Sequence, residues 1–576
     1  MKDSRKADKR AIYACSRCRQ HKIKCTGEIP CSNCTQRNVD CQFEKETTRV
    51  QITRKRLSEL HHRNRELERE NHALQQRLSS NIEGAATPQS EVDSPPKPRS
   101  VANSDSESTQ IYNEDENVNM GNPLSSRPPE YITDRTGKPH YLGHTSTWSL
   151  TIRLLNLTHE TLYKCPFPSA AHHVDSMTYD LEWDGLRTAA IPDIRGLPEI
   201  DHALFLINAT KFHTGQLFHL FDETKFMKQL YYFYENPAEH IHTVGIWLPH
   251  FLVIIALGNA LVGAQNRGNM PPGSELFRAA LMMLPDYSFL WKDPFTSAEI
   301  LCAFALYMQS IDWRTSAHNM IGQALRILQV HGYHTDLSSR FTNQHDLVRC
   351  QSVWWTVYVL ERQISVLMGT PLSISDNDIT AVLPLFPGSS LKTATLAIHV
   401  KLSKTFSHIM NALYRDHGDM RSTFVKSTQE VLQRVADVAS DLRKSFPVPE
   451  QEAMSGISRV AGYLNLLYHQ CIMLTTRPFL LMLVETRAKS TDPRNPTDHQ
   501  MEVPTPIKLL LQICLESAKK TSQILESLQQ QNLLECFLPF DLESAVSAGL
   551  VITVASLVSP PLIANRIALL DALFRT

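Results

Sequence analysis

Six cysteines near the beginning of the sequence have the type and spacing of metal ligands. They form two copies of one C-x2-C-x6-C unit, joined by five residues. A short cysteine repeat of this kind is typical of a metal site or of a disulfide framework. The segment before it, MKDSRKADKR, is polar and basic and lacks the apolar core of a secretory signal. We therefore expect reduced thiols that bind metal. The six candidate ligands are Cys15, Cys18, Cys25, Cys31, Cys34 and Cys41.

The number of cysteines favours two zinc ions that share thiolates. Zinc prefers four ligands in a tetrahedron, so one ion would leave two cysteines over and two separate ions would need eight. Two ions with two bridging thiolates use all six. A disulfide framework and two unrelated CxxC redox motifs are the alternatives at this point. Cations that would offset the negative charge of a zinc cluster stand among the first three cysteines: Arg17, Arg19, Lys22 and Lys24.

The stretch from Cys15 to Cys41 resembles the DNA-binding domain of the fungal Zn2Cys6 binuclear-cluster transcription factors. The match covers all six cysteines, the basic run between the second and the third, and Pro30 in the loop that joins the two halves. The resemblance implies two zinc ions per chain, with Cys15 and Cys31 as the bridging ligands. It also implies a first helix that enters the major groove of DNA and reads a G-rich, CGG-type half-site.

The basic residues of this stretch divide into base-reading and phosphate-binding candidates. Lys22 matches the family's base-contacting lysine, and lysine donates well to O6 and N7 of guanine. His21 stands where the family usually has Lys or Arg, and a neutral imidazole adds little charge. We assign Arg17, Arg19 and Lys24 to phosphates, which supply affinity and salt dependence. The alternative for each of these cations is a solvated side chain that balances the cluster.

Residues 50–80 follow a heptad pattern without Pro or Gly, which predicts a short coiled coil. Leucines occupy the d positions, and asparagine occurs twice at a, where it favours a parallel, in-register dimer at a cost in stability. We expect this segment to make the protein a homodimer that binds two half-sites; the alternative is a solvated single helix. The predicted dimer contacts are Leu57, Leu60, Asn64, Leu67, Asn71, Leu74 and Leu78.

Composition divides the chain into segments of different character. The net charge of −1 conceals a segregated distribution, because basic residues flank the cysteines. Residues 81–130 are rich in Ser, Pro, Asn and acids, which predicts a disordered linker. The expected fold class is mostly α. The predicted segments are a basic tail (1–12), a Zn2Cys6 head (13–43), a linker (44–49), the coiled coil (50–80), the disordered linker (81–130) and a large all-α regulatory domain (131–576).

The long C-terminal part of the chain is patterned for helices. A hairpin is predicted at Tyr131–Leu142. The apolar runs Ile246–Val262 and Ala545–Val558 are too short to span a bilayer, so we expect core helices and no membrane partner. Amphipathic runs predict helices at Trp148–Leu157, Ala203–Phe226, Ser297–Ile311, Thr315–His331, Leu347–Leu367, Leu396–Ala412 and Leu509–Leu528.

Three sequence motifs in this part of the chain resemble the fungal-specific regulatory domain that accompanies the zinc cluster. They are Val353–Pro384, Ala317–Asp336 and Thr476-Arg477-Pro478-Phe479. The resemblance implies a helical body that contacts the transcription machinery and responds to a small-molecule effector.

No motif in this body predicts catalysis. The sequence has no HExxH, G-x-S-x-G, P-loop or G-x-G-x-x-G. Asp376 and Asp378 could be paired carboxylates, but their spacing after Pro371 favours a role in capping and holding a loop. The remaining cysteines, which lie mostly on apolar runs, are interpreted as core thiols: Cys165, Cys302, Cys350, Cys471, Cys514 and Cys536.

The resemblance therefore implies a nuclear, sequence-specific transcription factor for RNA polymerase II genes, and not an enzyme. Family habit favours an activator of one pathway, such as a secondary-metabolite gene cluster. A regulator of nutrient use and a repressor are the alternatives within the same class. A zinc-thiolate redox or protein-docking module is the alternative of a different class.

Overall fold

The computed structural model describes part of the chain. The described residues are 16–20, 23, 25, 31–37, 39, 122–124, 130–133, 139–165, 167–168, 179, 181, 196–263, 270–414, 424–448, 456–490 and 505–558. The chain divides into two compact units, Met1–Asn113 and Glu114–Thr576. The predicted coiled coil, residues 50–80, lies outside the described residues.

The described part of the first unit consists of two short helices, α1 (Ser16–Gln20) and α2 (Ser32–Thr35). Each helix begins directly after the first cysteine of one C-x2-C-x6-C unit. The described core of this first unit is built from cysteines, with Ile23 packed against them. A described core with so little apolar surface is typical of domains that take their folding free energy from metal.

The second unit begins earlier along the chain than composition suggests. Leu124 is fully buried, and the Nδ2 amide of Asn122 donates to the carbonyl of Leu413 at 2.5 Å. These residues lie within the range assigned above to the linker, and they join the body because Leu124 supplies an apolar side chain to its core. The antiparallel strands β1 (Glu130–Thr133) and β2 (Pro139–Leu142) follow, so the predicted hairpin is confirmed.

The rest of the second unit is helical, which confirms the mostly α fold class. A single turn of 3-10 helix covers Asp376–Asp378, and a π-helical turn covers Met410–Tyr414. The helices are α3 (Thr147–Tyr163), α4 (Ile200–Thr214), α5 (Glu223–Glu235), α6 (Pro237–His240), α7 (Trp247–Leu261), α8 (Ser274–Met283), α9 (Tyr287–Leu290), α10 (Pro294–Ser310), α11 (Arg314–Val330), α12 (Gln344–Met368), α13 (Ser390–Ile409), α14 (Phe424–Ser445), α15 (Arg459–Ser490), α16 (Thr505–Gln530) and α17 (Pro539–Val558).

One predicted helix is two helices in the structure. The run Ala203–Phe226 is interrupted between Thr214 and Glu223. Asp222 causes the restart, because its carboxylate accepts a hydrogen bond from the Lys225 amide at 3.0 Å and so caps α5. The interruption places His219 and Asp222 in a loop.

The core of the body is formed by helices that are apolar on nearly all sides. Helix α7 is buried at almost every position, from Trp247 to Ala260, as expected of a helix that other helices surround. The interpretation of Ile246–Val262 as a core helix is thus confirmed. Among the described residues, no helix combines the length and the hydropathy that a membrane crossing requires.

Candidate functional site

Three cysteine sulfurs meet in the first unit. The Sγ atoms of Cys18, Cys31 and Cys34 all lie within 4.8 Å of one another, and all three side chains are buried. Cys18 and Cys31 come from different halves of the repeat, and their sulfurs are 3.6 Å apart. Two thiolates on one tetrahedral zinc, with bonds of about 2.3 Å, stand roughly 3.8 Å apart, whereas disulfide sulfurs stand about 2.05 Å apart. The geometry therefore fits shared metal coordination and not a disulfide.

The backbone around Cys31 turns the next cysteine back toward it. The carbonyl of Cys31 accepts from the amides of Cys34 at 2.9 Å and Thr35 at 3.0 Å. The Thr35 hydroxyl donates to the same carbonyl at 3.1 Å. Because this turn is closed by local hydrogen bonds, a C-x2-C pair presents both sulfurs on one side. In the first half, the Ile23 amide donates to the Cys18 carbonyl at 3.0 Å.

Only part of the predicted site is described. Cys25 is buried with the other three thiols. Arg17 and Arg19 lie on α1 on either side of Cys18, and Arg17 is half-buried. The predicted site residues that lie outside the described residues are Cys15, Cys41, His21, Lys22, Lys24, Leu57, Leu60, Asn64, Leu67, Asn71, Leu74 and Leu78.

In the second unit, the signature around Val353–Pro384 forms a buried ionic network. Arg362 is fully buried and donates to Glu361, to the Ile374 carbonyl at 2.7 Å and to Asp376 at 2.8 Å. The Tyr358 hydroxyl also donates to Asp376, at 2.8 Å. The network fastens the loop after α12 to the helix itself. Asp376 thus holds a loop, as the sequence predicts, and it is paired with Arg362 and Tyr358.

The end of α12 also touches the residue after the hairpin. Gly369 ends the helix with a φ of +71°, a conformation that favours glycine. A Cβ atom on Gly143 would lie 2.1 Å from the Gly369 carbonyl oxygen. The two backbones can therefore meet only because both residues are glycine.

The Arg477-Pro478 motif has a local physical explanation. Pro478 lies inside α15 and has no amide hydrogen, so the carbonyl of Leu474, four residues earlier, loses its helical donor. The hydroxyl of Tyr414 donates to this carbonyl at 2.6 Å. The same hydroxyl accepts from Arg477 Nε at 3.1 Å. Arginine, proline and the distant tyrosine thus form one hydrogen-bonded unit.

A second buried ion cluster was not singled out by sequence. Glu299 on α10 is fully buried and accepts from Arg349 at 2.7 and 2.9 Å, and its Oε1 lies 3.1 Å from His219 Nε2. Burial alone would raise the pKa of Glu299, but the hydrogen bonds from His219 and Arg349 lower it to about 2. The one feature of the sequence that could have indicated this cluster is a glutamate within the apolar run of α10. The cluster joins α10, α12 and the loop before α5.

The six scattered cysteines divide by burial. Cys302, Cys350, Cys471 and Cys514 are core thiols as predicted. The pKa of Cys350 is raised to about 12 by burial, which makes the thiol inert at neutral pH. Cys165 and Cys536 are exposed, and for these two the core interpretation is wrong. Both lie beyond the end of a helix, outside its apolar face.

Comparisons with known proteins identify both modules. The model of the fungal Zn(2)-Cys(6) binuclear cluster domain matches residues 13–50, and that of the fungal specific transcription factor domain matches residues 203–437. The chain is 21% identical to an uncharacterized transcriptional regulatory protein of Schizosaccharomyces pombe, over 96% of this chain and 74% of the relative. It is 23% identical to the thiamine repressible genes regulatory protein of that yeast, over 90% and 68%. No solved structure matches it.

A third relative is the ABC-transporter-regulating transcription factor of Aspergillus fumigatus, 23% identical over 65% of this chain and 47% of the relative. The Zn(2)-Cys(6) domain binds two zinc ions, and the cysteine donors of the described head fit that metal. The chain is therefore similar to fungal Zn(2)-Cys(6) transcriptional regulators, through a match to each of the two domain models and through relatives named as transcriptional regulators.

Proposed function

We propose that this protein is a nuclear activator that binds paired CGG-type half-sites as a homodimer and controls the genes of one pathway. The observation that carries the proposal is the meeting of Cys18, Cys31 and Cys34 in one buried group. A metal there fixes the short helix α1, which carries Arg17 and Arg19, as one rigid element. A rigid basic helix is what the major groove admits.

The six cysteines hold the two zinc ions, with Cys15 and Cys31 as the bridges. The described sulfurs agree with this assignment, because Cys31 lies close to Cys18 of the other half as well as to Cys34 of its own half, although the three sulfurs are all mutually close. A ligand that bridges two ions needs neighbours on both sides. The zinc ions supply positive charge that keeps the thiols ionised and holds the two halves together.

Lys22 reads guanine and His21 modulates the preferred triplet. Arg17, Arg19 and Lys24 neutralise phosphates, so that binding weakens as salt concentration rises. The coiled coil of residues 50–80 pairs two heads and, with the linker 44–49, sets the distance between the half-sites. The helical body passes regulatory input, including that of a small-molecule effector, to the transcription machinery.

A pathway-specific role agrees with the names of two relatives. One is named for thiamine-repressible genes and the other for ABC transporters, so each regulates a particular set of genes. We propose an activator of comparable scope, with a secondary-metabolite gene cluster as the type of target.

Selection of DNA from a random pool by the zinc-loaded, full-length protein tests the proposal. We expect enrichment of two CGG-type triplets at one fixed spacing. Treatment with a zinc chelator should abolish the enrichment, and added zinc should restore it. Enrichment of no sequence, or enrichment that survives zinc removal, would overturn the proposal. Enrichment of a single triplet would mean that the protein reads DNA but does not bind it as a homodimer.

A further inference from the structure

The body contains an apolar cavity with one charged residue in its wall. The cavity has a volume of about 30 Å³ and lies among α3, α12, α15 and α17. Its wall is mostly aliphatic, with Leu150, Leu481 and Val551 among the residues that line it, and Arg477 is its one charged member. A cationic group beside apolar walls is the composition of a site for an amphipathic anion.

Arg477 has no anionic partner among the described residues. It is 7% exposed, and the groups that accept from it are all neutral: the Tyr414 hydroxyl, the Thr147 hydroxyl at 3.4 Å and the Thr145 carbonyl. Two other buried arginines contrast with it, since Arg349 pairs with Glu299 and Arg362 pairs with Glu361 and Asp376. Buried charges are almost always paired. An unneutralised guanidinium in a cavity wall therefore calls for an anion from outside the chain.

A second cavity of about 20 Å³ adjoins the first and shares Val366, Leu367 and Gln470 in its lining. Gln363 lines this second cavity, and its Oε1 atom is buried without a hydrogen-bond partner. Its Nε2 atom donates to the Tyr463 hydroxyl at 2.7 Å, which fixes the orientation of the amide. The two cavities together give a largely apolar space, with Arg477 in the wall of the first part and with Gln363 and the carboxylate Glu543 in the wall of the second.

We propose that Arg477 anchors the carboxylate of a small aliphatic acid whose chain lies along the shared wall of the two cavities. Guanidinium binds carboxylate through two parallel hydrogen bonds. The cavity has room for only about one or two water-sized groups, so a chain of several carbons displaces neighbouring side chains. Helix α17 contributes Ser547, Leu550 and Val554 to the wall and is the last described element; its outward movement would make the space.

A ligand bound at Arg477 would also affect the segment at the start of α3. Arg477 donates to Thr145 and Thr147, which lie at the start of α3, shortly after the hairpin. A carboxylate that accepts the hydrogen bonds of Arg477 would release Thr145 and Thr147 from that arginine. This regulatory consequence rests on the proposed function, whereas ligand binding itself does not.

Binding is measured with the full-length protein in the absence of DNA, by calorimetry and by thermal shift. The probes are sodium butanoate and hexanoate, with butanamide and hexanamide as uncharged matches. We expect hexanoate to bind at least tenfold more tightly than hexanamide. A tenfold difference in affinity corresponds to about 1.4 kcal/mol, which charge-assisted hydrogen bonds can supply over neutral ones. The variant Arg477→Gln should lose this preference and Arg477→Lys should keep part of it. Arg459→Gln removes an arginine of the same helix that pairs with Asp541 and should leave the preference intact.

A second variant keeps the test valid if Arg477→Gln does not fold. Ser547→Met fills the cavity without changing the arginine and should weaken hexanoate binding at least tenfold. Equal binding of hexanoate and hexanamide, or wild-type hexanoate binding by Ser547→Met, would overturn the proposal. Because no DNA is present, neither result depends on the DNA-reading function of the head.

Discussion

The sulfurs of Cys18 and Cys31 lie 3.6 Å apart, although the two cysteines are 13 positions apart along the chain. This contact joins the two halves of the head, and it involves the cysteine proposed to bridge both metals. The described core of the head contains Ile23 as its one apolar residue besides the thiols. We therefore expect metal coordination to be the main source of the folding free energy of the head.

Substitution of the bridging cysteine should remove both metals. Cys31→Ala deprives each zinc of a ligand, so we expect the full-length protein to contain no bound zinc and to lose specific DNA binding. Metal analysis and native mass spectrometry measure the stoichiometry. Cys302→Ala changes a buried thiol of the body and should retain two zinc ions. One zinc retained with normal DNA binding in Cys31→Ala would contradict shared coordination.

Loss of the base-reading lysine should reduce specificity more than general affinity. Lys22→Ala is expected to cost about 1–3 kcal/mol on the selected site and much less on random DNA. Lys24→Ala, which removes a phosphate contact, should weaken both equally and reduce the salt slope by about one. Fluorescence anisotropy at several salt concentrations separates the two patterns. An equal loss for Lys22→Ala on both DNAs would reassign this residue to the phosphates.

Removal of the d-position leucines should leave the protein monomeric. The triple change Leu60→Ala, Leu67→Ala and Leu74→Ala deletes most of the apolar seam of a coil that two asparagines already weaken. Light scattering on the full-length protein measures the mass. The matched control changes His62, Arg69 and Gln76 to Ala, at heptad positions that face away from the seam. A dimer that persists in the leucine variant would place the interface elsewhere in the chain.

The Tyr414 hydroxyl and Pro478 should be energetically coupled. Tyr414→Phe leaves the buried Leu474 carbonyl without its donor and should cost about 1–3 kcal/mol of unfolding free energy. Pro478→Ala restores an amide hydrogen that can reach this carbonyl, so the double variant should lose less than the sum of the single losses. Denaturant unfolding of the four proteins gives the coupling energy. Additive losses would mean that the tyrosine does not replace the missing helical donor.

Stability should fall as pH rises through the range in which Glu535 ionises. Burial raises the pKa of Glu535 from 4.5 to about 7, against hydrogen bonds from the amides of Phe537 and Leu538 that favour the ionised form. The folded state thus holds a proton that the unfolded state releases. This contribution is fully present below about pH 4.5 and is lost by about pH 7, with a slope of at most about 1.4 kcal/mol per pH unit.

The difference between wild type and Glu535→Gln isolates this dependence. Denaturant unfolding between pH 4.5 and 8 should show the wild type losing stability relative to the variant up to about pH 7, and a constant difference above it. The absolute stability of the variant is expected to be lower, because both carboxyl oxygens accept from backbone amides. A difference that does not vary with pH would show that Glu535 stays ionised.

Much of the organisation follows from local sequence. The cysteine spacing predicts the zinc cluster because a C-x2-C turn is closed by backbone hydrogen bonds within five residues, as at Cys31. Helical periodicity predicts the fold class because the hydrogen bonds of a helix also join residues a few positions apart. The break at Asp222 was missed because the apolar pattern continues across it, whereas the capping carboxylate overrides that pattern.

The sequence by itself predicted the metal, its six cysteine donors and the helical nature of the body, since each prediction depends on residues a few positions apart. Only the tertiary structure decided which buried charges are paired. Glu299 meets Arg349 from 50 residues away, and Arg477 meets Thr147 from 330 residues away. Nothing in the local sequence distinguishes these two arginines. Their surroundings do, because the packing of the helices brings a carboxylate to Arg349 and leaves Arg477 facing an apolar cavity.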